Sequence, residues 1–295
     1  MASMRDIQRR KSSVASIGQI TKAMKLVSTV KLQKTKARAE SAKPYFEQMY
    51  QTVTHILAHS GNIRHPYLQA GDSSVKCIIT ITSNRGLAGG YNSGVEKLIT
   101  GSGFDKENVE LITIGRKGKE FLERRGYKIR ADYSDVINNP MFSDAKEICE
   151  EVLRAFGDGE IGEIYVAYTS FKNTVVHTPT LMKLLPVEFS EEDMEKRRQE
   201  QKDREAAESR APMNFEPAEE ESLDIIIPKY VTSILFGALI EAVASENGAR
   251  MQAMDNATSN AEEMIEKLSL QYNRARQGSI TQELTEIIAG AEAIN

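Results

Sequence analysis

The first sixty positions carry their apolar residues on a narrow helical stripe. Ile7, Val14, Ile17, Ile20, Met24 and Val27 recur at steps of three, four and seven, with polar residues filling the gaps. The stripe is closer to a coiled-coil seam than to the broad face of a core helix. After Val30 its positions turn basic, at Lys31, Lys34 and Arg38. Gly18 and Pro44 are the only breakers from Met4 to Ser60. The pattern predicts a helix of roughly 50 residues, about 75 Å long, which Pro44 kinks or divides.

The last seventy-odd residues behave alike. Met254, Ala261, Leu268 and Ala275 form one seven-residue series, and Ala257 and Met264 a second. Pro228 reads as a first-turn residue of this helix, and Gly248 and Gly278 weaken it without ending it. A helix of roughly 60 residues, about 90 Å long, follows. Helices of this length at both ends pair most simply as an antiparallel coiled coil.

The texture between them is different. Segments 75–82 (VKCIITIT), 109–115 (VELITIG) and 163–171 (EIYVAYTSF) read as buried strands, with helices over 92–101, 116–125 and 143–156. Alternation of this kind predicts a small parallel α/β domain, with 175–187 as a further edge strand. Segment 191–210 holds fourteen charges in twenty positions and reads as a solvated loop or exposed helix. The fold class expected is α/β with long helices, divided at 1–72, 73–190, 191–221 and 222–295.

Charge sharpens this picture. The chain of 295 residues has a formal charge of only −4. Residues 1–43, however, carry eleven Lys/Arg against Asp6 and Glu40, and residues 211–295 carry five against fourteen Asp/Glu. A basic helix facing an acidic one would supply mutual counter-charge. Composition adds exclusions. No apolar run approaches eighteen residues, so no membrane-spanning helix is expected. MASMRDIQRRKSSV lacks the apolar core of a secretory signal. Cys77 and Cys149 alone make neither a disulfide framework nor a zinc site, which points to a reducing compartment. The absence of Trp and 6% aromatic content fit a slender molecule with little core to fill.

Candidate chemistry is sparse. The loop SNRGLAGGYNSG (83–94) joins a strand to a helix, where backbone N–H groups can cradle phosphate. It matches neither G-x-x-x-x-G-K-[ST] nor G-x-G-x-x-G, so a tight structural turn at Gly86, Gly89 and Gly90 competes with nucleotide binding. His55 and His59 lie one helical turn apart with His65 nearby, but HILAH lacks the central Glu of a hydrolytic zinc motif. The basic N-terminal helix could meet nucleic-acid phosphates, yet positions 5–43 hold no aromatic residue for stacking. Nothing reads as catalytic, and no cofactor is expected.

Four blocks in order carry a family resemblance. They are IQRRKSSVASIGQITKAMKLVS near the start, SNRGLAGGYN (83–92), SENGARMQAMDNATSNA (245–261) and YNRARQGSITQELTEI (272–287). Together they resemble the γ subunit of F-type ATP synthase. That resemblance implies an antiparallel coiled coil of the terminal helices beside a Rossmann-like α/β domain, acting as a rotor shaft with no active site. It implies one copy per complex, inside a ring of three α and three β subunits, with the base on the ε subunit and the c-ring. Contact with membrane would come through the c-ring alone, on the cytoplasmic face of a bacterial plasma membrane.

Carried over by position, Met24, Arg250, Arg276, Gln277, Thr281 and Glu283 would face the ring, and Arg9, Arg10, Lys11, Lys22 and Lys25 would meet acidic loops of β. Phe215 and Glu216 in NFEP (214–217) would belong to the foot near the c-ring. The spacing of Cys77 and Cys149 argues against the thiol switch of the chloroplast form. Two other classes compete: a nucleotide-binding α/β enzyme with helical arms, and a coiled-coil nucleic-acid-binding protein.

Overall fold

The computed structural model describes residues 4–59, 65–69, 71–174, 176–187 and 219–292. The two terminal helices are α1 (Met4–His59) and α5 (Glu219–Glu292). Pro44 lies inside α1 and starts no second segment. Its missing N–H leaves one backbone carbonyl of the preceding turn without its helical donor. Pro228 likewise sits in the interior of α5, because the helix begins at Glu219, nine residues before it.

Between them run β1 (Lys76–Ile81), α2 (Tyr91–Thr100), β2 (Val109–Ile114), α3 (Arg116–Arg124), β3 (Lys128–Asp132), α4 (Phe142–Gly157), β4 (Glu163–Phe171) and β5 (His177–Leu185). The chain divides into two compact units. One comprises residues 1–30 with 250–295, and the other residues 31–249. The division falls within both long helices, whereas the sequence pattern divides the chain at their junctions with the central segment.

The larger unit is built on a five-stranded sheet of order β3-β2-β1-β4-β5. The first four strands are parallel, and β5 runs antiparallel to β4. Strand β3, KIRAD, is an edge strand with charged residues at alternate positions. Those charges mask it in the sequence, whose apolar pattern assigns 128–132 no element. Ile129 packs on one face of the sheet. On the other, Arg130 pairs with Glu110 at 3.0 Å and Glu160 at 2.7 Å. Burial pushes the Glu110 carboxyl up, but hydrogen bonds from Lys128 and Arg130 outweigh it and leave the pKa below its usual value.

Period-two alternation sorts the strand residues into two cores. Ile78, Val109, Leu111 and Ala167 pack with Val95 and Ile99 of α2 and Leu122 of α3. Cys77, Ile79, Ile81, Ile112, Ile114, Ile164 and Val166 face the other way. They pack with Ile148, Val152 and Phe156 of α4, with Val53 of α1, and with Leu223, Ile227, Val231 and Leu235 of α5. Helices therefore cover both faces, as a doubly wound parallel sheet requires. Segment 221–291 of α5 contains an eighteen-residue window whose mean hydropathy would allow it to cross a membrane. Isolated small and charged residues break its apolar run, and more than half of the window is buried within the protein, as in a core helix.

Candidate partner-contact surfaces

The smaller unit pairs α1 and α5 in antiparallel register. Thr21 Oγ1 lies 2.7 Å from Thr258 Oγ1, and Lys25 Nζ donates to Asp255 Oδ1 at 2.6 Å. A Cβ added at Gly18 would sit 3.4 Å from that of Ala261. As one partner number rises the other falls, which fixes the direction.

The α1 positions turned inward are Ile7, Lys11, Val14, Gly18, Thr21, Lys25 and Ser28, each at least partly buried. Their steps of four and three form a heptad seam. On α5, Met254, Ala261 and Leu268 are buried as their seven-residue series predicts, while Met264 of the second series is exposed.

The α1 seam is not the apolar stripe of the sequence. Ile17 is 51% exposed, Ile20 59% and Val27 58%, and Leu26 and Val30 are exposed too. Each of Ile17, Ile20, Met24 and Val27 immediately precedes a residue of the true seam. One residue is about 100° of helical rotation, so the stripe points out beside the seam. Only Ile7 and Val14 serve as predicted. The seam between 18 and 28 is small and polar, and it lets the helices come close.

The predicted contact residues fall mostly on this outer surface. Arg9, Arg10 and Lys22 are exposed, Arg9 with Asp6 at 3.5 Å. Met24 is half-buried, and Lys11 lies on the seam. Lys25 is turned to Asp255, so its ammonium already has a partner inside the chain. Arg250 is partly buried on α5. Arg276, Gln277, Thr281 and Glu283 are exposed near the α5 C-terminus, where Ile280, Leu284, Ile287 and Ile288 are exposed with them. Sequence reasoning missed those four apolar residues; their i, i+4, i+7 and i+8 spacing was the available signal. Phe215, Glu216 and the charged segment 191–210 lie outside the described residues.

The strand-end loop is closed by its own side chains. Ser83 N and Oγ donate to Asn92 Oδ1 at 2.9 and 3.0 Å, and Asn84 Nδ2 donates to Ser134 O at 2.7 Å. The first N–H groups of α3, which could otherwise cradle an anion, are also taken. Arg116 N donates to Asn84 Oδ1, Lys117 N to Ser83 O and Gly118 N to Thr82 Oγ1. Leu87 and Gly89 adopt positive φ, at 64° and 56°. These contacts favour the structural turn over a phosphate cradle.

The His55 and His59 side chains are outside the description, while His65 is buried and bonded to Asp224 at 3.1 Å. Among the described residues no cluster of His, Cys, Asp or Glu could hold a metal ion. Cys77 and Cys149 are both buried, which pushes each thiol up to about 12.

A close antiparallel helix pair with an apolar and basic outer face, joined in one chain to a doubly wound α/β unit, defines an α/β protein of the long-helix class. The family model described as ATP synthase matches residues 3–294. The chain belongs to the ATP synthase gamma chain family. It is 65% identical to the ATP synthase gamma chain of Lachnoclostridium phytofermentans, over all of both chains. It is 43% identical to that of Alkaliphilus metalliredigens, covering 99% of this chain and 98% of the other. The ATP synthase gamma chain of Acetobacterium woodii, described as sodium ion specific, is 42% identical over 99% of each. Among solved structures, a chain of the Euglena gracilis mitochondrial ATP synthase (OSCP/F1/c-ring) shares the fold, with a TM-score of 0.69 at 18% identity, over 99% of this chain and 94% of that one.

Proposed function

We propose that this chain is the central-stalk rotor of a bacterial ATP synthase, with no active site of its own. The outward apolar face of the helix pair carries the reading: Ile17, Ile20 and Val27 are left to water by the chain itself. Surfaces of this kind mark interaction sites. A ring of α and β subunits around the pair would cover them.

Because the two helices present different residues, the three β subunits would meet different contacts at any instant. Differential contact shifts each between conformers of different nucleotide affinity, and rotation passes each through all of them. Arg9, Arg10, Lys11, Lys22, Met24 and Arg250 would serve this interface, and Arg276, Gln277, Thr281 and Glu283 the bearing at the α5 end. Lys25 is the weakest member of the set, since it faces Asp255. Exposed ion pairs contribute about 0–1 kcal/mol each, which suits contacts that must break as the shaft turns. Phe215 and Glu216 would lie at the foot on the c-ring, with ε on the same base.

The complex would sit on the cytoplasmic face of the plasma membrane, touching it through the c-ring, with the proton as coupling ion. The test is co-purification of the chain from detergent-solubilised membranes, followed by reconstitution. A single copy with α, β, ε and the c-ring, and ATP-driven acidification of vesicles without sodium, is the expected result. Recovery without the α and β subunits overturns the rotor reading. Pumping that requires sodium overturns only the choice of ion.

A further inference from the structure

We propose that Lys25–Asp255 and Thr21–Thr258 together lock the rotation of α1 about its own axis in the smaller unit, and so decide which of two competing faces is turned outward. Residues 1–30 carry two overlapping heptad stripes. One is Gly18, Thr21, Lys25 and Ser28, and the other is Ile17, Ile20, Met24 and Val27, each one residue earlier.

By hydrophobicity alone the second stripe belongs inside, and a rotation of about 100° would put it there. The structure holds the first inside. Ser28 is 2% exposed and Thr21 7%, whereas Ile20 is 59% exposed. Two contacts form in this arrangement and are lost in the rotated one, the half-exposed Lys25–Asp255 pair and the Thr21–Thr258 contact, whose hydroxyls also reach Gly18 O and Met254 O of their own helices. The two threonine hydroxyls meet at 2.7 Å, and the Lys25 ammonium meets the Asp255 carboxylate at 2.6 Å. The rotated arrangement would also bring the branched Ile17 side chain toward Ala261, where the helices approach so closely that a bare Cβ on Gly18 would already touch the Ala261 Cβ at 3.4 Å. A polar pair in a helical seam is a known way to fix one packing at some cost in stability. Here it would hold the apolar face out. The lock acts within the chain, so its test does not depend on the rotor reading.

The experiment uses the full-length chain with its two native cysteines, both buried. Gly18→Cys with Ala261→Cys reports the observed packing, since their Cβ atoms fall close to disulfide range. Ile17→Cys with Ala261→Cys reports the rotated one. Mild oxidation should close the first pair faster. Adding Asp255→Lys, which sets two ammonium groups face to face, should lower the ratio of the two rates about tenfold. The exchange Lys25→Asp with Asp255→Lys should restore it. An unchanged ratio in Asp255→Lys overturns the lock, and so does an exchange that fails to restore it. Where Asp255→Lys alone unfolds the pair by circular dichroism, the exchange variant must recover both helicity and ratio; an exchange variant that stays unfolded equally overturns the proposal.

Discussion

Replacing Ile17, Ile20 and Val27 together by Gln separates a face kept for partners from one that stabilises the chain. Each side chain is more than half exposed, at 51%, 59% and 58%, and so contributes little to folding of the isolated chain. Full burial of such a side chain stabilises by about 1.5–3 kcal/mol, and about half of that remains available to a partner. The three together therefore supply about 3 kcal/mol of association, or about a hundredfold in affinity. The assay is titration of the purified chain onto a ring of α and β subunits, wild type beside variant, with thermal unfolding of each chain alone. The expected outcome is a chain that melts within about 2 °C of wild type and binds the ring about a hundredfold more weakly. A variant that melts several degrees lower and binds the ring unchanged would refute the reasoning, because the face would then be packed within the chain.

Other outcomes follow from the larger unit. Gly115→Ala should destabilise it by at least about 2 kcal/mol in urea unfolding, because its Cβ would lie 2.1 Å from Thr82 O at a φ of 116°. The isolated chain should show no micromolar binding of ATP or NAD in calorimetric titration; such binding lost with Asn92→Ala would revive the nucleotide-site reading. Burial holds the His177 pKa below 6.5, against a hydrogen bond to Thr174 O that raises it. A depressed histidine takes up its proton first in the unfolded chain, so stability is present above the unfolded pKa and lost as pH falls below it. The urea midpoint should drop as pH falls below the ordinary histidine range, and drop less in His177→Asn. A Gly248→Val change should displace the same ring, since even a Cβ would lie 2.7 Å from His177 Cε1, and shifted His177 imidazole resonances in NMR would report it.

Strands and helices of the larger unit were legible where burial was two-sided. VKCIITIT and VELITIG run apolar because both sheet faces are covered. β3 was not legible, because an edge strand keeps Lys128 and Arg130 where a central strand keeps apolar residues. Nor was the early start of α5, since its first residues, Glu219 to Glu221, carry charge and no stripe. The closed loop at 83–94 was half legible. Its glycines announced a turn, but only tertiary contacts could show Asn92 and Asn84 satisfying the groups an anion would need.

The misplaced seam is more instructive, because the sequence pattern itself was real. A stripe of Ile17, Ile20, Met24 and Val27 marks a face of α1 suited to being covered. It does not say by what. Within a single chain the natural candidate is the opposite helix, and that assumption puts the stripe inside. The chain instead spends its small and polar residues on the helix partner, with Thr21 against Thr258 and Lys25 against Asp255. Polar contacts at such short range specify geometry more sharply than they stabilise. The hydrophobic effect is non-directional and scales with area, so under the proposed rotor function it would suit an outer face whose neighbour changes. The stripe places Ile20 inward, whereas it lies outward, and Lys25, still part-exposed, turns its ammonium to Asp255. One rotation of about 100° separates the two stripes, and the charge pairing of Lys25 with Asp255, a basic residue of one helix against an acidic residue of the other, is the signal that distinguishes them.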